Sequence, residues 1–103
     1  MGEKAVEWTT GRITLRGEID MEHSLLLRRA LDDAAASSPA SIVVDVSQLD
    51  FIDSSGLSEL VRPIHDGRRV ILDGAKPFLL RLLEMTQLDT VLTVESGGRD
   101  DEV

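Results

Sequence analysis

Three serines and three acids crowd the stretch 49–60, "LDFIDSSGLSEL", where Ser54, Ser55, Ser58, Asp50, Asp53 and Glu59 surround the single Gly56. Hydroxyls beside carboxylates can act as nucleophiles, accept a phosphate, or cap a helix. A hydrolase elbow needs G-x-S-x-G, so that its serine sits on a strained turn. Around Ser54 the first glycine position holds Ile52, and around Ser55 it holds Asp53. A serine nucleophile also needs a base, and only His23 and His65 are available. His65 lies ~16 Å from Ser54 along a helix rising 1.5 Å per residue. A small esterase-like enzyme is therefore the weakest reading, and no catalytic residue is assigned. Asp50 and Asp53 lack further ligands at coordinating spacing, so no metal site and no cofactor is expected. "DSSG" also lacks the frame and the lysine of a phosphate loop. Asp53, Ser54 and Ser55 are all good caps, and Gly56 reads as a residue that lets the chain turn tightly. A capping box would want Glu or Gln three residues on, where these caps place Gly56, Leu57 or Ser58. Capping and a binding surface stay open as the two readings.

The composition narrows the function classes. The 103 residues fit one domain, and the core must be aliphatic because only Trp8, Phe51 and Phe78 are aromatic. No apolar run approaches the roughly 20 residues that span a bilayer, so no membrane insertion is expected. The start "MGEKAVEW" lacks a signal peptide's apolar centre, and Val6 stands where myristoylation needs Ser or Thr. With no cysteine, disulfides and thiolate metal sites are excluded. These features predict a cytoplasmic protein. The net charge of −8, from 19 acids against 11 bases, argues against direct DNA binding and suits a partner with a basic docking surface. Arg28-Arg29 and Arg68-Arg69 read as solvated surface pairs.

The elements that must position the serines follow from periodicity. Residues 5–10 and 12–17 read as two strands meeting at Gly11, the second alternating Ile13 and Leu15 against Arg12, Thr14 and Arg16. Asp20 reads as the N-cap of a helix over 22–36, with Leu26, Leu27, Ala30, Leu31 and Ala34 inward and Arg28, Arg29, Asp32 and Asp33 outward. A loop is expected at 37–40, "SSPA", since Pro39 blocks the helix. "SIVVDVS" (41–47) is apolar enough for a central strand. A short helix over 55–65 then buries Leu57, Leu60, Val61 and Ile64, leaves Ser58, Glu59 and Arg62 exposed, and is kinked or ended by Pro63. A strand over 68–74, a helix over 77–86 opened by Pro77, and a strand over 90–94 complete the order β, β, α, β, α, β, α, β. The fold class is α/β, a single domain with a mixed, mostly parallel sheet of four to five strands and about three main helices. The domain is placed at 1–95, and the polar 96–103 reads as a flexible tail.

At "LDFIDSSGL" the chain resembles the STAS domain, and specifically the bacterial anti-sigma-factor antagonists. Their pattern is an apolar strand followed by D-[FIV]-[ILMV]-D-S-[SA]-G-L, matched over Asp50 to Leu57. "GRITLRGEID" is similar to the family's second strand, and "VILDGAKPFLLRLLEMTQLDTVLTV" to its closing strand, helix and strand. The resemblance implies that Ser54 is a phosphate acceptor. Its donor would be an anti-sigma factor serine kinase that supplies ATP and Mg²⁺, reset by a PP2C-type phosphatase. It also implies a partner surface around Asp20, Asp53, Ser55, Gly56, Ser58, Glu59 and Arg62, whose binding releases or withholds a sigma factor. The chain departs from the family in its second helix, cut by Pro63 and "HDG" to about three turns. A branch of the same family acts without phosphorylation, as constitutive regulatory subunits of lipid-transport ABC transporters, and is the alternative.

Overall fold

A computed structural model describes residues 4–37 and 40–95. Strands β1 (Val6–Thr9) and β2 (Arg12–Ile19) form an antiparallel hairpin. A 3₁₀ turn (Met21–His23) leads into α1 (Ser24–Ser37), followed by β3 (Ser41–Ile52), α2 (Ser54–His65), β4 (Arg69–Asp73) and α3 (Pro77–Thr86). A second 3₁₀ turn (Leu88–Thr90) precedes β5 (Thr93–Glu95). The strands lie in the order β1-β2-β3-β4-β5, with every pair after the first parallel. This is the expected α/β class and sheet. The tail at 96–103, and Ser38 and Pro39 of the expected loop, lie outside the described residues.

Alternation decides which face is which. Val6, Ile13, Leu15, Ile42, Val44, Val70 and Leu72 are buried on one face, where α1 adds Leu27, Ala30, Leu31 and Ala34 and α2 adds Leu57 and Leu60. At roughly 1.5–3 kcal/mol for each large aliphatic side chain removed from water, this layer is the main source of stability. Leu26, expected in the α1 stripe, is 38% exposed. The opposite sheet face is ionic: the Arg12 guanidinium reaches Asp45 (3.2 Å) and Asp73 (3.1 Å), tying three strands together.

β2 and β3 run further than expected, to Ile19 and Ile52, so the first residues of "LDFIDSSG" are strand. Two bulges make this possible. The register steps from Thr14↔Asp45 to Arg16↔Gln48, and again from Gly17↔Leu49 to Glu18↔Phe51. At the first, the Asp45 carboxylate accepts hydrogen bonds from the Ser47 amide (3.0 Å) and hydroxyl (2.7 Å), satisfying groups that the ladder leaves out. The second frees Asp50 from the ladder to meet Lys76 at 2.7 Å.

α2 ends at His65, where the sequence reading places it. Pro63 is buried inside the helix, which ends two residues later, so the proline neither stops nor visibly interrupts it. The stop is Gly67 in the left-handed region (φ 85°), with its amide bonded to the Ile64 carbonyl and the Arg68 amide to that of Pro63. This is a Schellman-type end.

Asp45 carries a pH dependence. Partial burial pushes its pKa up, but the Ser47 hydrogen bonds and the Arg12 charge outweigh that and hold it below the ordinary value. A carboxyl depressed in the folded state adds stability above its unfolded pKa of about 4, lost as pH falls through the folded value. Asp45→Asn should therefore destabilise the domain at neutral pH and flatten the acid side of its stability profile. Melting temperatures from pH 7 down into the acid limb check this, and parallel profiles for the two proteins would contradict it.

Candidate functional site

Because β2 and β3 end side by side at Ile19↔Ile52, the residues that follow, Asp20 and Asp53, open neighbouring turns at the carboxyl end of the sheet. That is where open parallel sheets place their sites. The Asp53 amide still donates to the Ile19 carbonyl (3.1 Å), completing the ladder. Its side chain is the N-cap of α2 and accepts from the Gly56 amide at 3.1 Å. Asp20 does the same for the 3₁₀ turn, accepting from the Glu22 amide at 3.0 Å, with His23 Nδ1 3.1 Å from its carboxylate. The capping role expected of Asp20 is met, though on a 3₁₀ turn that precedes the helix.

With Asp53 as the cap, Ser54 is the first helical residue. It is exposed, and its hydroxyl has no hydrogen-bond partner among the described residues. Ser55 is half-buried and Ser58 exposed. Ser54, Leu57, Ser58, Val61 and His65 form one wall of a groove of about 360 Å³, whose other wall is Leu88 after α3. Val61, read as inward, instead lines this groove, and Leu88 enters through tertiary folding that no local pattern shows.

Gly56 is buried, and its backbone is ordinary helix, so the tight turn expected of it is not its role. A Cβ built there would lie 2.7 Å from Ile52 Cγ1 and 3.1 Å from Ile19 Cγ2. Glycine is needed for close approach of α2 to the ends of β2 and β3.

Glu59 is the larger correction. Expected on the exposed rim, it is 6% exposed, because it shares a flank of α2 with the buried Gly56 and Pro63 and faces α1. Arg28 of α1 grips both carboxylate oxygens, at 3.1 and 2.9 Å, and Arg62 approaches at 3.3 Å. The carboxylate holds the Arg28 guanidinium above its ordinary pKa, first through that hydrogen bond. Arg62 also lies 3.8 Å from Asp32. Arg28, read as solvated, and Glu59 and Arg62, read as partner contacts, thus form the seam between α1 and α2. Of the proposed partner surface Asp20, Asp53, Ser55, Gly56 and Ser58 lie with Ser54 at the sheet end, Gly56 as a buried contact, whereas Glu59 and Arg62 belong to the seam.

A family model described as Mlab, STAS domain, matches residues 5–94. The chain belongs to the STAS-domain family. An anti-sigma factor antagonist from Mycobacterium paratuberculosis is 29% identical, over 86% of this chain and 80% of its own, with a TM-score of 0.68. SpoIIAA, an anti-sigma factor antagonist in its unphosphorylated form, shares the fold at 21% identity, covering 87% and 84% of the two chains with a TM-score of 0.64. The phosphorylated form of Bacillus SpoIIAA matches at 21%, over 87% and 88%, with a TM-score of 0.62.

Two substitutions separate packing from docking. Gly56→Ala should cost about 1–3 kcal/mol, the range for overpacking a filled core, as read from chemical denaturation. An unchanged midpoint would show that Ile52 and Ile19 yield freely. Glu59→Lys places a third cation between Arg28 and Arg62, and should lower the melting temperature by more than about 5 °C in a domain of this size. A melting curve matching the wild type would return Glu59 to the surface.

Proposed function

We propose that the chain is an anti-sigma-factor antagonist whose partner binding is switched off by phosphorylation of Ser54. The observation that carries this reading is Ser54 itself, an exposed hydroxyl on the first turn of α2, beside a groove of mixed apolar and hydroxyl character. The partner is an anti-sigma factor serine kinase that brings ATP and Mg²⁺, and a PP2C-type phosphatase restores the free hydroxyl. The 29% identical anti-sigma factor antagonist supports the general role.

The physics of the switch is local. A phosphate adds about −1.5 to −2 charges at pH 7. Free amides and the helix dipole at the start of α2 favour it, by roughly 0.3–1 kcal/mol at an exposed site. Asp53 and Asp20 oppose it, whereas Asp50 is neutralised by Lys76. The fold is therefore nearly indifferent to the phosphate. A partner seated on Leu57, Val61 and Leu88 is not, because it must desolvate a doubly charged group at the groove's edge.

The second reading is a constitutive STAS regulatory subunit of a transporter, acting without phosphorylation. The short α2, 12 residues ending at His65, favours it by trimming the face a kinase would grip.

Ser54→Asp should fold normally, since aspartate suits the first helical turn, yet bind the kinase at least about tenfold more weakly, near 1.4 kcal/mol. Ser54→Ala should bind and resist modification, and Ser55→Ala should still accept phosphate. Circular dichroism, affinity titration and mass mapping on the same samples decide. A phosphate found on Ser55 overturns the acceptor assignment. Undiminished binding by Ser54→Asp overturns the switch.

A further inference from the structure

Helix α3 exposes apolar side chains on either flank of an outward strip that carries Arg81 and Glu84. Leu79 and Leu83 are buried, but Leu80 is 39% and Met85 75% exposed, and Phe78 and Leu82 are half-buried. Phe51, which is 48% exposed, lines with Ile52, Phe78, Arg81, Leu82 and Met85 a largely apolar groove of about 300 Å³ that the Ser54 site does not use. Contiguous exposed apolar surface of this kind marks an interaction site, whereas scattered residues do not. The α3 face carries two charges, Arg81 and Glu84, and neither has an ion-pair partner among the described residues.

We infer that two copies of this chain pair through α3, the helices packed antiparallel about a two-fold axis. The charge order selects this occupant. A cation three residues before an anion on the outward face is self-complementary under that rotation, which sets Arg81 of each copy against Glu84 of the other. Phe78 and Met85, seven residues apart, share a flank of the helix, so the same rotation lays Met85 of one copy beside Phe78 and the groove of the second. A lipid surface would gain from Arg81 but meet Glu84 at the centre of the face, against the pattern of interfacial helices. One helix of ten residues and one groove place the contact among small, reversible interfaces. Ser54, Ser58 and His65 are not on this face, so the pairing does not depend on the phosphorylation reading.

Sedimentation equilibrium of the full chain from micromolar to millimolar concentration tests the pairing. A concentration-dependent dimer is expected. Arg81→Glu and Glu84→Arg should each weaken it about tenfold, because each turns two attractive pairs into two repulsive ones, and the double reversal should restore it. Met85→Lys should abolish it with the circular dichroism unchanged, since that side chain is solvent-exposed in the single chain. A monomer at every concentration overturns the inference, and its flotation with phosphatidylglycerol vesicles would assign the face to lipid instead. A dimer indifferent to both charge reversals and to Met85→Lys places the interface elsewhere and also overturns it.

Discussion

Between the first turn of α2 and the ends of β2 and β3 there is no room for a methyl group. A Cβ on Gly56 would meet Ile52 and Ile19 at 2.7 and 3.1 Å. That contact sets the height at which α2 leaves the sheet, and the rest of the site follows from it. Asp53 must turn back to cap a helix that starts at once, which it does through the Gly56 amide. Ser54 is then carried to the surface as the first helical residue, while Leu57 and Leu60 drop onto the core. A larger residue at 56 would lift the helix start and loosen the cap, the hydroxyl and the groove together.

Charge is distributed to the same effect. Arg12, Arg28 and Arg62 are committed to carboxylates within the sheet face or the α1–α2 seam, and Lys76 to Asp50. Asp53 and Asp20 are held by backbone amides, which orient a carboxylate without cancelling its net charge. The carboxyl end of the sheet is therefore acidic where Ser54 emerges. Such a patch favours encounter with a basic surface and makes association sensitive to salt.

How much of this is legible in the sequence depends on the range of the interaction. Strand alternation in "RITL", the apolar "SIVV" and the proline at the start of α3 are local, and each reads correctly, whereas "DSSG" offers three possible caps and only the folded chain selects Asp53. Bulges are not local: nothing in "DVSQLDFI" announces that β3 continues past Ser47, because the two extra residues are absorbed only by pairing with β2. Glu59 misleads for a related reason. A carboxylate in a short amphipathic helix reads as solvent-facing by type, yet here Arg28, 31 positions earlier, makes burial possible. One clue was present, since Glu59 lies three residues after Gly56 and four before Pro63, on their side of the helix. Pro63 is a weaker signal than its type suggests: so near the helix end it removes few backbone bonds, and Gly67 supplies the stop.

The length of α2 bears on how a phosphate could act. From Ser54 to His65 the helix spans ~16 Å, and these two residues are also the ends of the groove wall it contributes. A partner seated along that wall passes Ser54 wherever it docks, because the wall is no longer than the helix. Steric and electrostatic exclusion then need no rearrangement of the domain. The cap, the glycine contact and the seam through Glu59 can all stay fixed while one surface group changes from a neutral hydroxyl to a dianion. A longer helix would offer turns beyond the reach of that charge, and so allow a modified chain to keep part of its interface. An α2 of 12 residues thus keeps the whole of the groove wall that it contributes within the influence of one residue.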